Sequence, residues 1–343
     1  MAAAGLNTEL WMTRGDGPVR GLVSDAVRVR MVPAPRLSRG LSLFLQIPAL
    51  RRLVKRVRPH VLMSAGNQSN LTVALATRGT ATRSVAKITN PVDRPGARGL
   101  AQTLRQKRFG LTARLSDLNL ALSAADARRY GGLYPQAASR IVSVNNPYVT
   151  PAMIEAGRQR VANEGPLRFV SVGRRAPQKD FATLLEALAL LPRRDWTMTI
   201  VGDGPDRAAL AAHAKRLGIA PHLTFTGFTD PLPYLATADI FILSSRWEGL
   251  PAVAIEALAC GCDLVVTDCS PGLSALVIDA ALGTPVAVGD APALARSISG
   301  RLAASIEREQ LRAVAAPFEI KASIADHIRL ITPFLTPEKP RTH

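Results

Sequence analysis

The second half of this chain repeats one unit. A short apolar run meets a turn marked by Gly or Ser, and a stretch of helical apolar periodicity follows. Residues 169–172 read as a strand ending in Gly173, and 181–190 as a helix. The run 196–201 leads into Gly202-Asp203-Gly204-Pro205 and a helix over 206–217. Strands at 223–226, 240–243 and 264–267 alternate with helices at 231–237 and 253–259, and a later helix covers 293–299. Strands joined through helices run parallel and are buried on both faces. The pattern therefore predicts a doubly wound α/β sheet, in which ligands bind beyond the carboxyl ends of the strands.

The first half shows the same alternation more faintly. Strands are expected at 27–32, 61–64, 84–88, 118–122 and 141–144. Helices are expected at 41–57, interrupted by Pro48, at 71–76 and at 124–130, with a polar loop over 90–99. Asn145, Asn146 and Pro147 break the pattern, and 145–166 reads as an exposed linker. Two α/β domains result, 1–150 and 166–317, and 343 residues that are 47% hydrophobic suffice for two cores.

Charge separates the halves. Residues 1–150 hold 23 Lys or Arg against 6 Asp or Glu, so the whole net charge of +17 belongs there. A field of one sign steers an anionic partner: nucleic acid, anionic lipid or a diphosphate-linked substrate. Aromatic residues are only 5% and no nucleic-acid-binding signature occurs, so nucleic acid is not expected. Five cations between Arg51 and Arg58 follow the apolar residues Leu41, Leu43, Phe44, Leu45, Ile47 and Leu50, a segment suited to a membrane interface or to a core helix with a basic rim. No basic segment precedes a long apolar run at the start, and no run of 18 apolar residues occurs. A cytoplasmic protein is expected, peripheral at most on the inner face of the membrane. Cys260, Cys262 and Cys269 lack a fourth ligand cluster and read as reduced thiols, with no metal.

Three strand ends carry residues suited to chemistry. Gly173 permits a tight turn, and Arg174 and Lys179 bring cations to the start of a helix, which itself favours anions. Gly202 and Gly204 make either an anion-binding turn or simply a well-formed one. In Ser244-Ser245-Arg246-Trp247-Glu248-Gly249-Leu250-Pro251, Glu248 precedes a helix and Glu256 lies inside it. Carboxylates accept hydrogen bonds from hydroxyls, so vicinal sugar hydroxyls are natural partners for both.

In this order these segments resemble the retaining glycosyltransferases of GT-B architecture, family 4 or glycosyl transferases group 1. The likeness runs from residue 169 to about 298 through VGRRAPQKD, VGDGPDR, LTFTGF and SSRWEGLP, with Glu248 and Glu256 eight apart. It implies two Rossmann-like domains facing a cleft, with a C-terminal helix over 318–334 returning to the first. By that resemblance Arg174 and Lys179 would hold the donor diphosphate, with Gly173, Gly202 and Gly204 beside it. Gly227 and Phe228 would border the base, Glu248 with Gly249 and Leu250 would meet the hexose, and Glu256 would bind the ribose. Asn67 and Asn90 are the acceptor-side candidates. The donor would be a UDP-, GDP- or ADP-sugar with no further cofactor, and the acceptor a glycan or lipid-linked sugar of envelope or exopolysaccharide synthesis. The sequence departs from the family in three places. The N-terminal domain is expected to be missing its first strand and glycine-rich loop, no His occurs near Thr89 and Asn90, and no acidic residue follows Gly272. The first two departures favour, as a second reading, a catalytically silent sugar-nucleotide-binding protein.

Overall fold

The computed structural model describes residues 1–13, 21, 23–33, 39–92, 99–161, 164–192, 195–303 and 306–335. The chain divides into two compact units, 1–144 with 324–343, and 145–323.

The first unit contains β1 (Glu9–Met12), β2 (Arg28–Met31), α1 (Arg39–Leu45), α2 (Ile47–Val57), β3 (Val61–Met63), α3 (Asn70–Thr77), β4 (Arg83–Ile88), α4 (Leu100–Leu115), β5 (Leu118–Ala121), α5 (Ala124–Leu133) and β6 (Ile141–Ser143). β3 to β6 form a parallel four-stranded sheet in sequence order, while β1 and β2 form a separate parallel pair. One face of the larger sheet buries Val85, Leu118 and Leu120 against Ile331.

The helix expected over 41–57 with an interruption at Pro48 is two helices, because proline is tolerated in a first turn and disrupts an interior. The break falls at Gln46, which places Pro48 at the start of α2. Leu50 and Val54 on α2 are buried, while Phe44 and Leu45 remain exposed. The basic segment thus acts as a core helix with a basic outer rim, and Arg51 donates to the carbonyls of Ala76 and Arg78. Of the polar loop at 90–99, residues 93–98 lie outside the described residues. The helix α4 that follows was not expected.

The second unit contains α6 (Pro151–Arg158), β7 (Leu167–Val172), α7 (Phe181–Ala189), β8 (Trp196–Val201), α8 (Arg207–Arg216), β9 (Leu223–Gly227), α9 (Leu232–Leu235), β10 (Ile240–Leu243), α10 (Ala252–Ala259), β11 (Asp263–Val266), α11 (Pro271–Asp279), α12 (Ala291–Ala303) and α13 (Arg308–Ala315). Helix α14 (Ile320–Ile331) carries the division between the units, at Ile324. The sheet order is β11-β10-β7-β8-β9, and every neighbouring pair is parallel. All residues of β10 and β11 are buried, as a sheet covered on both faces requires. Leu184, Leu185 and Leu188 of α7 pack on Trp196, Met198 and Ile200 of β8. Among the described residues no helix is long and apolar enough to cross a membrane.

The segment read as an exposed linker contains a helix, Pro151–Arg158. The Thr150 hydroxyl accepts from the Met153 N–H at 3.3 Å and Pro151 supplies the first residue of α6, two start signals that outweigh the surrounding polarity. Gly157 then brings α6 onto the end of α10. A β-carbon there would lie 2.3 Å from the Ala259 carbonyl oxygen and 3.2 Å from the Cys260 backbone. Gly157→Ala should destabilise the second unit by about 2 kcal/mol in urea unfolding, a typical overpacking loss. Gly132→Ala on α5, where a β-carbon meets nothing within 4 Å, should be neutral or slightly stabilising.

Candidate functional site

The sheet order of the second unit decides where its site forms. The chain leaves β7 toward β8 and β9, then crosses back to place β10 on the other side of β7. The loops after β7 and β10 therefore diverge, and the gap between their origins is the topological switch point where such sheets take ligands. Gly173 to Asp180 follow β7, and Ser244 to Pro251 follow β10. The two most suggestive sequence segments thus meet at one point.

Several bonds join these loops. The Ser244 hydroxyl donates to the Lys179 carbonyl at 2.8 Å, and the Arg246 N–H to the Gln178 carbonyl at 2.8 Å. The Gln178 amide donates to the Trp247 carbonyl at 2.9 Å. The Arg246 guanidinium pairs with Asp180 at 3.0 Å. Asp180 occupies the left-handed region at φ 47°, a conformation that Asp tolerates better than most residues. Inside this frame the Lys179 ammonium lies 2.8 Å from the Glu248 carboxylate, with side chains only 17% and 12% exposed. Glu248 also accepts from the Ser245 hydroxyl at 3.0 Å and from Gln178 at 3.4 Å.

The glycines have a steric reason. A β-carbon on Gly173 would meet the Lys179 stem at 2.6 Å, so Gly173 gives that stem its path back toward Glu248. A β-carbon on Gly202 would lie 2.2 Å from the Gly173 carbonyl oxygen, and one on Gly204 2.2 Å from that of Arg175. The turn after β8 is thus pressed backbone to backbone against the turn after β7. Arg175 locks the contact. Its N–H donates to the Asp203 carbonyl at 2.9 Å, and its fully buried guanidinium reaches the Asp203 carboxylate at 2.9 Å. Phe225 offers its ring face 5.4 Å from that guanidinium. Arg174, next to it, is exposed. Gly227 closes β9 with φ 83° and Phe228 is 86% exposed.

Glu256 stands apart from the Lys179–Glu248 pair. It is half-buried on α10, and burial pushes its carboxyl up from 4.5 to about 7, with the charge of Asp230 adding to the effect. Nearby Tyr148 donates its hydroxyl to the Leu250 carbonyl at 3.3 Å, and burial pushes its phenol up, with the Glu256 charge contributing. Leu250 is buried, and the Gly249 carbonyl accepts from the Ser270 hydroxyl, which also caps α11. The acidic residue not found after Gly272 has a neighbour that sequence reading passed over. Ser274 donates to Asp268 at 2.6 Å, which brings an exposed carboxylate beside the start of α11. Gln178 and Tyr148 were missed because each acts through a partner on another loop.

Cys260, Cys262 and Cys269 are free and buried, and burial pushes their thiols up to about 12, 11 and 12. Thiols this weakly acidic are packing residues. Among the described residues no group of three or more His, Cys, Asp or Glu could hold a metal ion.

In the first unit Asn67 and Asn90 are brought together. The Asn67 amide donates to the Asn90 carbonyl at 2.7 Å, and its oxygen accepts from the Thr89 N–H at 2.7 Å. These bonds tie the loops after β3 and β4. No His stands beside Thr89 in sequence, but buried His327 of α14 lies 3.2 Å from the Lys87 ammonium, and burial pulls that ammonium down. A separation of 240 residues hid this neighbour from sequence reading.

Two family matches tile the chain, a glycosyl transferase 4-like domain over residues 1–147 and glycosyl transferases group 1 over 154–316. The lipopolysaccharide core biosynthesis glycosyltransferase LpsE of Rhizobium meliloti is 36% identical over 143 residues, 41% of each chain. A Campylobacter jejuni N-acetylgalactosaminyltransferase, named for an acceptor linked to diphospho-undecaprenol, is 36% identical over 121 residues, 35% of this chain and 33% of that one. These alignments therefore span well under half of either curated relative. In fold, the chain is similar to Anabaena HepE, solved in complex with UDP, with a TM-score of 0.75 and 18% identity over 95% of this chain and 92% of that one. With both halves matched, and the switch-point loops built from the residues that carry the resemblance, the chain belongs to the glycosyltransferases of GT-B fold, a glycosyl transferases group 1 domain behind a glycosyl transferase 4-like domain.

Proposed function

We propose that this protein is a retaining glycosyltransferase that moves a hexose or N-acetylhexosamine from a nucleoside diphosphate sugar to a glycan or lipid-linked acceptor of envelope or exopolysaccharide synthesis. The observation that carries this reading is the Lys179–Glu248 pair at the switch point of the second unit. Lys179 is a mobile point charge on a flexible stem, suited to following a diphosphate as negative charge grows on it. Exposed Arg174, on the same loop, would add a planar fork for the same oxygens. When Lys179 turns to phosphate, Glu248 keeps Ser245 and Gln178 as partners and becomes an acceptor for hexose hydroxyls. Glu256, near Tyr148 and Leu250, would take the ribose hydroxyls, and Gly227 and Phe228 the base. The LpsE relative and the UDP complex of HepE support the donor and pathway class, and the Campylobacter jejuni relative supports a lipid-linked acceptor.

The leaving diphosphate departs with the bond pair from the anomeric carbon, and the acceptor oxygen attacks the same face while its proton passes to an oxygen of the departing diphosphate. In this scheme the second unit holds the donor. The first unit, with the segment from Ile324, receives the acceptor near Asn67 and Asn90. Its charge suits a position at the inner face of an anionic membrane.

A screen of UDP-, GDP- and ADP-sugars, reading nucleoside diphosphate release with and without acceptor extract, tests the assignment. One donor class should be turned over. Lys179→Ala and Glu248→Ala should each lower kcat by roughly a hundredfold or more, near 3 kcal/mol at the transition state. Turnover of no donor by wild-type protein would reject the enzymatic reading.

Glu256 supplies a separate test. Its folded-state carboxyl titrates near 7 against an ordinary 4.5, so between those values the folded protein holds a proton that the unfolded chain has released. Stability from this group therefore falls as pH rises through that window, by at most about 3 kcal/mol and less after solvent screening. Glu256→Gln should flatten this slope and melt above wild type at pH 8. Donor affinity in wild type should strengthen as pH rises through 7, since ionised Glu256 is the better acceptor for ribose hydroxyls. An unchanged pH profile in Glu256→Gln would remove that role.

A further inference from the structure

From residue 26 to residue 92 the chain contains no Asp or Glu, and part of its positive charge gathers around a cavity. The cavity, about 500 Å³, lies at the amino ends of β3 and β4. That is the edge of the sheet opposite to the loops that bear Asn67 and Asn90. The end of α2 lines it, and so do Pro333 and Phe334 just beyond α14. A space of this size suits a small ligand.

The lining is held by bonds that leave three of its basic side chains free. The Thr82 hydroxyl donates to the Pro59 carbonyl at 2.7 Å, and the Arg83 N–H to the His60 carbonyl at 2.8 Å. These bonds tie the segment before β4 to the segment before β3. The Thr80 hydroxyl donates to the Thr77 carbonyl at 2.7 Å and accepts from the Thr82 N–H at 3.2 Å, which fixes the turn after α3. The Arg83 guanidinium is committed to Asp117 at 3.2 Å. Lys55, Arg58 and His60 line the same cavity and are exposed. Among the described residues no hydrogen bond or ion pair engages any of these three side chains. Arg58 is also strained. It ends α2 in the left-handed region at φ 51°, a position that helices ordinarily give to Gly. Gly would end the helix with less strain, so the helix end by itself does not account for an arginine.

We propose that this cavity is a second ligand site, which takes a soluble molecule bearing two or more phosphates and is separate from the donor loops of the second unit. Lys55 offers a mobile ammonium and Arg58 a planar fork to phosphate oxygens, and His60 adds a ring N–H. Each of these groups can take its own oxygen, so a chain of phosphates is held better than a single tetrahedral anion. Pro59 and Phe334 give the cavity an apolar part that admits the remainder of such a ligand. The excess positive charge of the first unit draws the ligand in, and no carboxylate of residues 26–92 opposes it. The site does not depend on the donor assignment, and its test reads binding in a protein stripped of the donor-loop cations.

The test is titration calorimetry of the full chain with inorganic tripolyphosphate and, at the same ionic strength, with sulfate. It is run on a background of Arg174→Ala with Lys179→Ala, or of Lys179→Ala alone if the pair melts early. That background should keep a site for tripolyphosphate and prefer it to sulfate by about tenfold or more, as the loss of one charged hydrogen bond implies. Adding Lys55→Gln should weaken binding about tenfold or more. Adding Arg58→Gly should weaken it as far, yet the protein should melt at or above its parent, because Gly relieves the left-handed residue. Arg52→Gln with Arg56→Gln, exposed on α2 but outside the cavity, should change binding about twofold at most, since salt screens charges at a distance. Loss of the site in the background protein would place the anion at the donor loops and overturn the proposal. So would a site that holds sulfate as well as tripolyphosphate, Lys55 and Arg58 variants that bind like their parent, or an Arg52 and Arg56 variant that falls as far as they do. None of these outcomes bears on donor turnover, so the two readings fail separately.

Discussion

No β-carbon fits between the turns that follow β7 and β8, and the rest of the switch-point geometry depends on that closeness. Gly202 and Gly204 let the second turn rest directly on the backbone of the first, which fixes Gly173 and Arg175 in place. Gly173 in turn leaves a path for the Lys179 stem, whose ammonium reaches Glu248. Glu248 comes from the far side of β7, on a loop held by the Gln178, Ser244 and Asp180 contacts. An ion pair between residues 69 apart in sequence is thus a consequence of strand order and missing side chains. A larger residue at Gly202 or Gly204 would have to move backbone, whereas one at Gly173 would displace the Lys179 side chain.

The charges in this unit fall into two kinds. Arg175 is buried without exposure, and its carboxylate partner Asp203 is 55% exposed. Removing a partner from a buried cation is far more damaging than never having buried it, which gives the second residue of Gly202-Asp203-Gly204-Pro205 a structural duty. Hydrogen bonds from the Gly204 N–H and from Arg175 hold the Asp203 carboxyl below its usual range, as that duty requires. Lys179 and Glu248 neutralise each other where both are mostly shielded. Glu256 has no such counter-charge. Among the described residues no ion pair reaches it, and Asp230 repels its charge. A carboxyl that desolvation holds near neutrality gains most from ligands that donate hydrogen bonds, and ribose hydroxyls are such donors.

Much of this was legible in the sequence because parallel strands covered on both faces leave short, dense apolar runs that end in Gly or Ser. Gly173, Gly202 and Ser244 mark three such ends, and the loops they open are the ones that bear charge. Legibility failed where a residue acts through a distant partner. Nothing local singles out Gln178 or Tyr148, because each bonds to a different loop. His327 is invisible in the same way, since its neighbour Lys87 belongs to another region of the chain altogether. The segment 145–166 misled for an opposite reason: its polar composition resembled a linker, while Thr150 and Pro151 already encoded a helix start.

Helix α4 escaped for a third reason, and it is the most instructive. A helix that covers a core on one side leaves one apolar stripe and one polar face, and periodicity detects that contrast. In α4 the core side holds Phe109, Gly110, Thr112 and Ala113, small or weakly apolar apart from the single ring, while the most apolar residues lie outward. The two sides cancel, so the helix looks featureless although it is regular for 16 residues.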